Sequence, residues 1–189
     1  MPNQLFVFRT LLLISVLDIT IGCGKKDSSI VPERPHQPFA FRSVLDEQPR
    51  IITLALHDDV WAAYHTDSCS LYKVWKGHVQ FQGAVYDNAH GPQPISIGDA
   101  WIVNPYKHPW SVKSGGTEML REVKYAGHEL KKGRAILKYN LVCDNGTIIK
   151  VDEQPEFRQK EVQVGVERPY RLHDVPAGYE GSIGQQATS

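Results

Sequence analysis

Residues 135–151 read AILKYNLVCDNGTIIKV. In the first nine positions Ala135, Leu137, Tyr139, Leu141 and Cys143 alternate with Ile136, Lys138, Asn140 and Val142. Successive strand side chains point to opposite faces, so the first set defines a core-facing side. Asp144-Asn145-Gly146 then supplies a hairpin turn, because Asn-Gly tolerates the positive φ that a type I′ turn demands. Thr147 to Val151 returns as the partner strand. A tight hairpin with one apolar face implies an antiparallel sheet packed on something else.

Working outward, the same grammar recurs. Ile51 to Leu56 is an apolar run closed by His57-Asp58-Asp59. Val60 to Tyr64 and Leu71 to Trp75 are aromatic and β-branched, joined by Thr66-Asp67-Ser68. Gly77 and Gly83 flank Val79-Gln80-Phe81. These spacings predict a meander of antiparallel strands. Asn88 to Gly116 is rich in proline and glycine and reads as loop, with Ala100 to Val103 as one strand. Residues before proline are pushed to extended backbone, which argues against helix there. Val162, Val164 and Val166 alternate with polar residues and predict another half-buried strand, and Tyr170 to Leu172 continues the sheet. Arg42 to Glu47 is the one place where a helical turn is expected. Short strands and regular turn signals together predict an all-β fold, an antiparallel β-sandwich that can form part of a larger supersandwich, with little helix. The expected domain runs over residues 39–176, and the polar residues 177–189 are expected to fray.

The chain opens MPNQLFVFRTLLLISVLDITIGC. Arg9 is the only charge before the apolar run Leu11 to Leu17, and small residues precede Cys23, as in a secretory signal. A run of seven residues falls well short of the roughly 20 apolar residues that span a bilayer. Thr20-Ile21-Gly22-Cys23 resembles the lipobox of bacterial lipoproteins, although Thr20 replaces the usual Leu and Asp18 interrupts the signal. The resemblance implies a signal peptide over residues 1–22 and a lipid-bearing Cys23, hence attachment to membrane lipid in a bacterial cell envelope, facing the periplasm or the cell surface. Plain secretion with a free Cys23 is the alternative. Residues 23–38, polar and proline-bearing, read as a tether.

Lys plus Arg number 21 and Asp plus Glu number 21, giving a formal net charge of zero. No basic block exists, so no nucleic-acid partner is expected. Three cysteines are an odd count for an exported chain. Lipidation of Cys23 leaves Cys69 and Cys143, either as a disulfide or as two separate buried thiols. Neither Cys-x-x-Cys nor Cys-x-x-Cys-His occurs, which excludes zinc-ribbon, thioredoxin-type and c-type haem readings. No cofactor is expected.

All four tryptophans, Trp61, Trp75, Trp101 and Trp110, lie within fifty residues of one another, together with Tyr64, Tyr72, Tyr86 and Tyr106. Aromatic rings fill cores, and exposed ones stack on the apolar face of a sugar. Trp61, Trp75, Trp101, Trp110 and Tyr86, with the loop residue His90, are therefore the candidate ligand-binding residues, and carbohydrate is the candidate ligand. His57, Asp58 and His90 on loops suit a metal-assisted hydrolase or lyase. Turn chemistry explains Asp58 and Asp59 equally well. There is no His-x-x-x-His, no calcium loop and no Gly-x-Ser-x-Gly. Glu118, Glu122 and Glu129 form no pair that announces a glycosidase, and no catalytic residue is assigned.

Arg34-Pro35-His36-Gln37-Pro38-Phe39-Ala40-Phe41-Arg42-Ser43-Val44-Leu45-Asp46, the stretch LYKVWKGHVQFQGAVYDNAHGPQP from Leu71 to Pro94, and Asp174-Val175-Pro176-Ala177-Gly178 resemble a family of large bacterial extracytoplasmic proteins. Tyr125-Ala126-Gly127-His128 and Leu137-Lys138-Tyr139 resemble the sheet region of the same module. Those proteins carry a β-rich N-terminal region followed by sugar-dehydrogenase-like and cytochrome c domains. The resemblance implies a β-module outside the cytoplasm, standing alone or as a piece of a larger product. It carries over neither haem nor electron transfer, because Cys-x-x-Cys-His is absent. It adds an envelope redox protein to the candidate partners, with the chain as its accessory. The expectation that results is a membrane-anchored lipoprotein with a non-catalytic, carbohydrate-binding β-domain.

Overall fold

The structure, a computed structural model, describes residues 38–81, 91–104 and 108–184. Among them the chain forms strands and no helix. The strands β1 (Phe39–Leu45), β2 (Gln48–His57), β3 (Val60–His65), β4 (Ser70–Gln80) and β5 (Ile95–Val103) make a five-stranded sheet in sequential order. Next come β6 (Trp110–Ser114), β7 (Thr117–Glu118), β8 (Leu120–Lys131), β9 (Arg134–Cys143) and β10 (Ile148–Glu153). The chain ends with β11 (Glu156–Lys160), β12 (Gln163–Glu167), β13 (Tyr170–His173) and β14 (Tyr179–Ile183). The second sheet has the order β13-β10-β9-β8, β11 and β12 form a hairpin, and β14-β6-β7 form a small third sheet. Every pairing is antiparallel.

The alternation in 135–151 lands as its pattern requires. Ala135, Leu137, Tyr139, Leu141 and Cys143 are all buried, and Ile149 and Val151 join them from β10. Facing them from the five-stranded sheet are Ile52, Leu54 and Leu56 of β2, Ala62 and Tyr64 of β3, and Leu71 and Val74 of β4. This is the interior of the sandwich, closed on one side by Val112 of β6. The five-stranded sheet is buried on its other face too. There Trp61 and Trp75 stack with centroids 6.0 Å apart, and Phe39 meets the Trp61 ring edge-on. Burial on both faces explains why β2 reads as an uninterrupted apolar run instead of an alternating one.

Several expectations change in detail. The Asp144-Asn145-Gly146 turn is a three-residue loop with positive φ at Gly146 alone (85°), not a two-residue type I′ turn. The Gly146 amide bonds to the Cys143 carbonyl, and the Asn145 side chain accepts from the Thr147 amide. Arg42 to Leu45 belongs to β1, and only Asp46-Glu47 turns, so the expected helical turn is absent. Pairing with β2 wins over the weak helical pattern of so short a segment. Gly77 does not end a strand. It lies inside β4 opposite Gly98 of β5, where a Cβ on either residue would sit about 2.0 Å from the other strand's backbone oxygen. Val162 is 93% exposed in the β11–β12 turn, so β12 starts one residue later. Beyond Ala177, Tyr179 to Ile183 pairs with β6.

One polar residue sits in the middle of this interior. Glu153, fully buried at the end of β10, accepts hydrogen bonds from Tyr64 Oη (2.9 Å), Tyr139 Oη (2.9 Å) and Arg168 Nε (2.6 Å). Tyr64 belongs to the first sheet and Tyr139 to the second, so the carboxylate ties the two together. Removing it would strand a buried cation and two hydroxyls. Breaking one side of a buried ion pair costs about 3–5 kcal/mol. Glu153→Ala is expected to lose about that much stability in urea denaturation, and Glu153→Gln to fall in the same direction. Glu129→Gln, half-buried on the sheet face and paired only with the partly exposed Lys138, is expected to change stability by less than about 1 kcal/mol. A Glu153→Gln midpoint equal to wild type would remove the carboxylate from this role.

Candidate functional site

The sequence-selected tryptophans separate into two kinds. Trp61 and Trp75 are 5% and 0% exposed and belong to the outer aromatic layer. Trp61 Nε1 donates to the Gly77 carbonyl and Trp75 Nε1 to that of His78, so both rings are committed to the core. Trp101 on β5 is half-buried against the sandwich interior. Trp110, the first residue of β6, is half-buried and lines a surface hollow. Tyr86, His90 and Cys23 lie outside the described residues.

The hollow beside Trp110 is built on the turn between β3 and β4. Thr66 is held there by its amide and its hydroxyl, both donating to the Arg50 carbonyl at 2.9 and 2.8 Å. Ser68 and Ser70 share a hydrogen bond of 2.9 Å. Cys69 takes a positive φ of 50°, and its carbonyl accepts from Trp110 Nε1 at 2.8 Å. The Trp110 ring is set in turn by edge contacts with Tyr139 and Tyr170, at 5.7 and 5.8 Å. The turn is thus pinned from both sides, and Asp67 at its tip is exposed. Asp67 has no hydrogen bond or ion pair to another described residue.

Two hollows meet at Asp67 and Val123. One, of about 430 Å³, is lined by Trp110, Ser68, His108, Arg121 and Glu122 as well. That volume lies within the usual range of small-molecule sites. The other is lined by Arg42, Arg50, Thr66, Lys124 and Tyr125. Arg42 Nη2 reaches Thr66 Oγ1 at 3.4 Å, and its guanidinium lies 5.8 Å from the centre of the Tyr125 ring. Burial pushes the Tyr125 hydroxyl up to about 12, with Arg42 pulling the other way, so it remains a neutral donor. The groove therefore offers an indole, a phenol, a free carboxylate and several cations. None of these except Trp110 stood out in the sequence, where Thr66-Asp67-Ser68 had only the signature of a turn.

The remaining candidates have structural employment. His57 stacks on Phe157 at 4.2 Å and lies 3.9 Å from Asp59, which also meets Lys76 at 3.4 Å. Glu118 accepts from the Ser111 hydroxyl and the Val112 amide, and these bonds lower its pKa. Glu122 pairs with Lys124 and Glu129 with Lys138. Among the described residues no group of three or more His, Cys, Asp or Glu side chains is arranged to hold a metal ion. A His–Asp contact that the sequence did not suggest, His173 Nε2 to Asp152 Oδ2 at 3.1 Å, sits in a ladder of cross-strand charges with Lys138 on β9. Such ladders are how a solvated sheet face is stabilised. At the β1–β2 turn, Asp46 accepts from the Ser96 amide and hydroxyl and from Lys73. Burial acts to raise its pKa, but the Ser96 bonds and the Lys73 charge outweigh it and hold it below the usual value. That cluster fastens β5 to the start of the sheet.

Comparison with known proteins finds no matching family model, curated protein or solved structure.

Cys69 and Cys143 are both buried and both free, not joined. Burial, with Glu153 and Asp67 adding their charges, pushes the Cys69 thiol up to about 12, and burial raises Cys143 as well. A thiolate is the reactive form. Both are expected to resist a maleimide or disulfide reagent at neutral pH and to label fully in guanidinium without reductant. Failure to label in guanidinium until reductant is added would show a disulfide instead.

Proposed function

We propose that the chain is a lipid-tethered, extracytoplasmic module that binds carbohydrate and performs no chemistry of its own. The observation that carries this reading is the groove beside the β3–β4 turn, where the Trp110 indole and the Asp67 carboxylate, unpaired among the described residues, line one hollow. A sugar ring needs that combination: an apolar surface for its C–H face and polar acceptors for its hydroxyls. The turn is held by backbone and side-chain bonds that do not depend on a ligand, so the groups are ordered in advance. The resemblance of residues 34–178 to extracytoplasmic modules supports the same setting, as does the lipobox-like run before Cys23.

A glycan array probed with the full chain is expected to give signal on a restricted set of glycans. Trp110→Ala is expected to abolish it. Because Trp110 also braces the turn, Asp67→Asn serves as the second variant. Its side chain is exposed and unpaired among the described residues, so the fold is expected to persist while glycan affinity falls about tenfold, the equivalent of one good polar contact. Folded protein with no signal on any glycan would end the carbohydrate reading.

The anchor has its own test. Radiolabelled palmitate is expected to enter the wild-type chain in a bacterial host and to be lost in Cys23→Ala. Equal labelling of the two would remove the lipid from the proposal.

A further inference from the structure

The charges of the groove are not balanced, although those of the whole chain are. Its lining carries four cations, Arg42, Arg50, Arg121 and Lys124, against two carboxylates, Asp67 and Glu122. The formal local charge is therefore four minus two, or +2, with histidine neutral. Glu122 is engaged by Arg121 at 3.4 Å and Lys124 at 2.9 Å. Arg42 and Arg50 have no carboxylate partner among the described residues. Arg42 is oriented by Thr66 and the Tyr125 ring. Arg50 is set by the β2 backbone whose carbonyl holds Thr66, and its side chain is exposed. Two guanidinium groups with no carboxylate partner among the described residues, in a hollow that adjoins the one lined by Trp110, make a subsite for an anion carried on the ligand.

Resting on the carbohydrate reading, we infer that the groove selects an acidic sugar, one whose ring bears a carboxylate or a sulfate. The ring lies beside Trp110 and Asp67, and the anionic substituent extends past Val123 toward Arg42 and Arg50. A guanidinium fork meets a carboxylate or sulfate through two parallel N–H···O bonds, which an ammonium cannot do. Asp67, at the junction of the two hollows, accepts ring hydroxyls and repels an anion placed on the Trp110 side. This fixes the direction in which the sugar enters.

The test is titration calorimetry of the full chain with five probes: an oligogalacturonate, its neutral methyl ester, a sulfated galactan, the desulfated galactan and inorganic polyphosphate. The expected result is binding at least tenfold tighter for an acidic form than for its neutral counterpart. Whichever acid binds, uronate or sulfate, identifies the substituent. Arg42→Gln and Arg50→Gln are each expected to weaken the acidic ligand roughly tenfold and so to remove most of its preference over the neutral form. Arg158→Gln, whose guanidinium pairs with Glu167 outside the groove, is expected to have no effect. Equal affinity for acidic and neutral forms, still lost in Trp110→Ala, would overturn the inference and leave the sugar reading standing. Equal binding of inorganic polyphosphate, indifferent to Trp110→Ala, would reduce the groove to a general anion surface and overturn it as well. No binding of any probe would sink both.

Discussion

A single carboxylate joins the two halves of this molecule. Glu153 is fully buried in the interior, where an uncompensated charge would be intolerable. It is tolerable because three donors converge on it, from β3, from β9 and from the segment entering β13. The relation also runs the other way. Burial and the Glu153 charge drive the Tyr64 and Tyr139 hydroxyls well above their usual pKa, which keeps them protonated as donors. The Arg168 guanidinium lies 5.5 Å from the Tyr64 ring centre and 5.4 Å from that of Tyr170, so the cation is held by ring faces as well as by the carboxylate. Apolar packing alone would let the two sheets slide. Directional bonds to one atom pair fix their register.

This arrangement explains the division of labour among the aromatic residues. Tyr139 and Tyr170, held by or near the buried charge, form the edge on which the Trp110 ring rests. Trp110 in turn reaches the Cys69 carbonyl and settles the β3–β4 turn. The groove is thus two contacts removed from Glu153, and its shape is inherited from the interior. Trp61 and Trp75 do different work on the far side of the first sheet, covering Ala55 and Ala63, whose small side chains leave room for stacked rings.

The fold was legible where one physical signal dominated. Period-two alternation in 135–143, and short apolar runs bounded by turn residues in 51–75, need only the geometry of a strand to be read correctly. The misreadings arise where two signals compete. Arg42 to Glu47 has neither proline nor glycine and resembles a helical turn, but pairing with β2 supplies backbone bonds that so short a helix could not. Leu120 to Lys131 escaped notice because it is mostly polar and its edge position in the second sheet leaves one side open to water. The groove was invisible for a plainer reason. Arg42, Arg50, Asp67 and Lys124 come from three separate stretches of sequence; pairing within the first sheet gathers the first three, and packing against the second sheet adds Lys124. Cluster chemistry has a sequence signature when its members share a motif, and these do not.

The β3–β4 turn has a kinetic meaning beyond its geometry. Its backbone is held at Thr66 by Arg50 and at Cys69 by Trp110, with Ser68 and Ser70 bonded across it. A loop held at so many points does not need to rearrange before it receives a partner. Encounter, not folding of the site, then sets the speed of association, and a net positive lining draws an oppositely charged ligand in from solution at a rate that ionic strength controls. Such a surface captures quickly and releases according to its few polar contacts. Under the proposed acidic-sugar reading, that behaviour would suit many brief, repeated attachments along a polymer instead of one lasting grip.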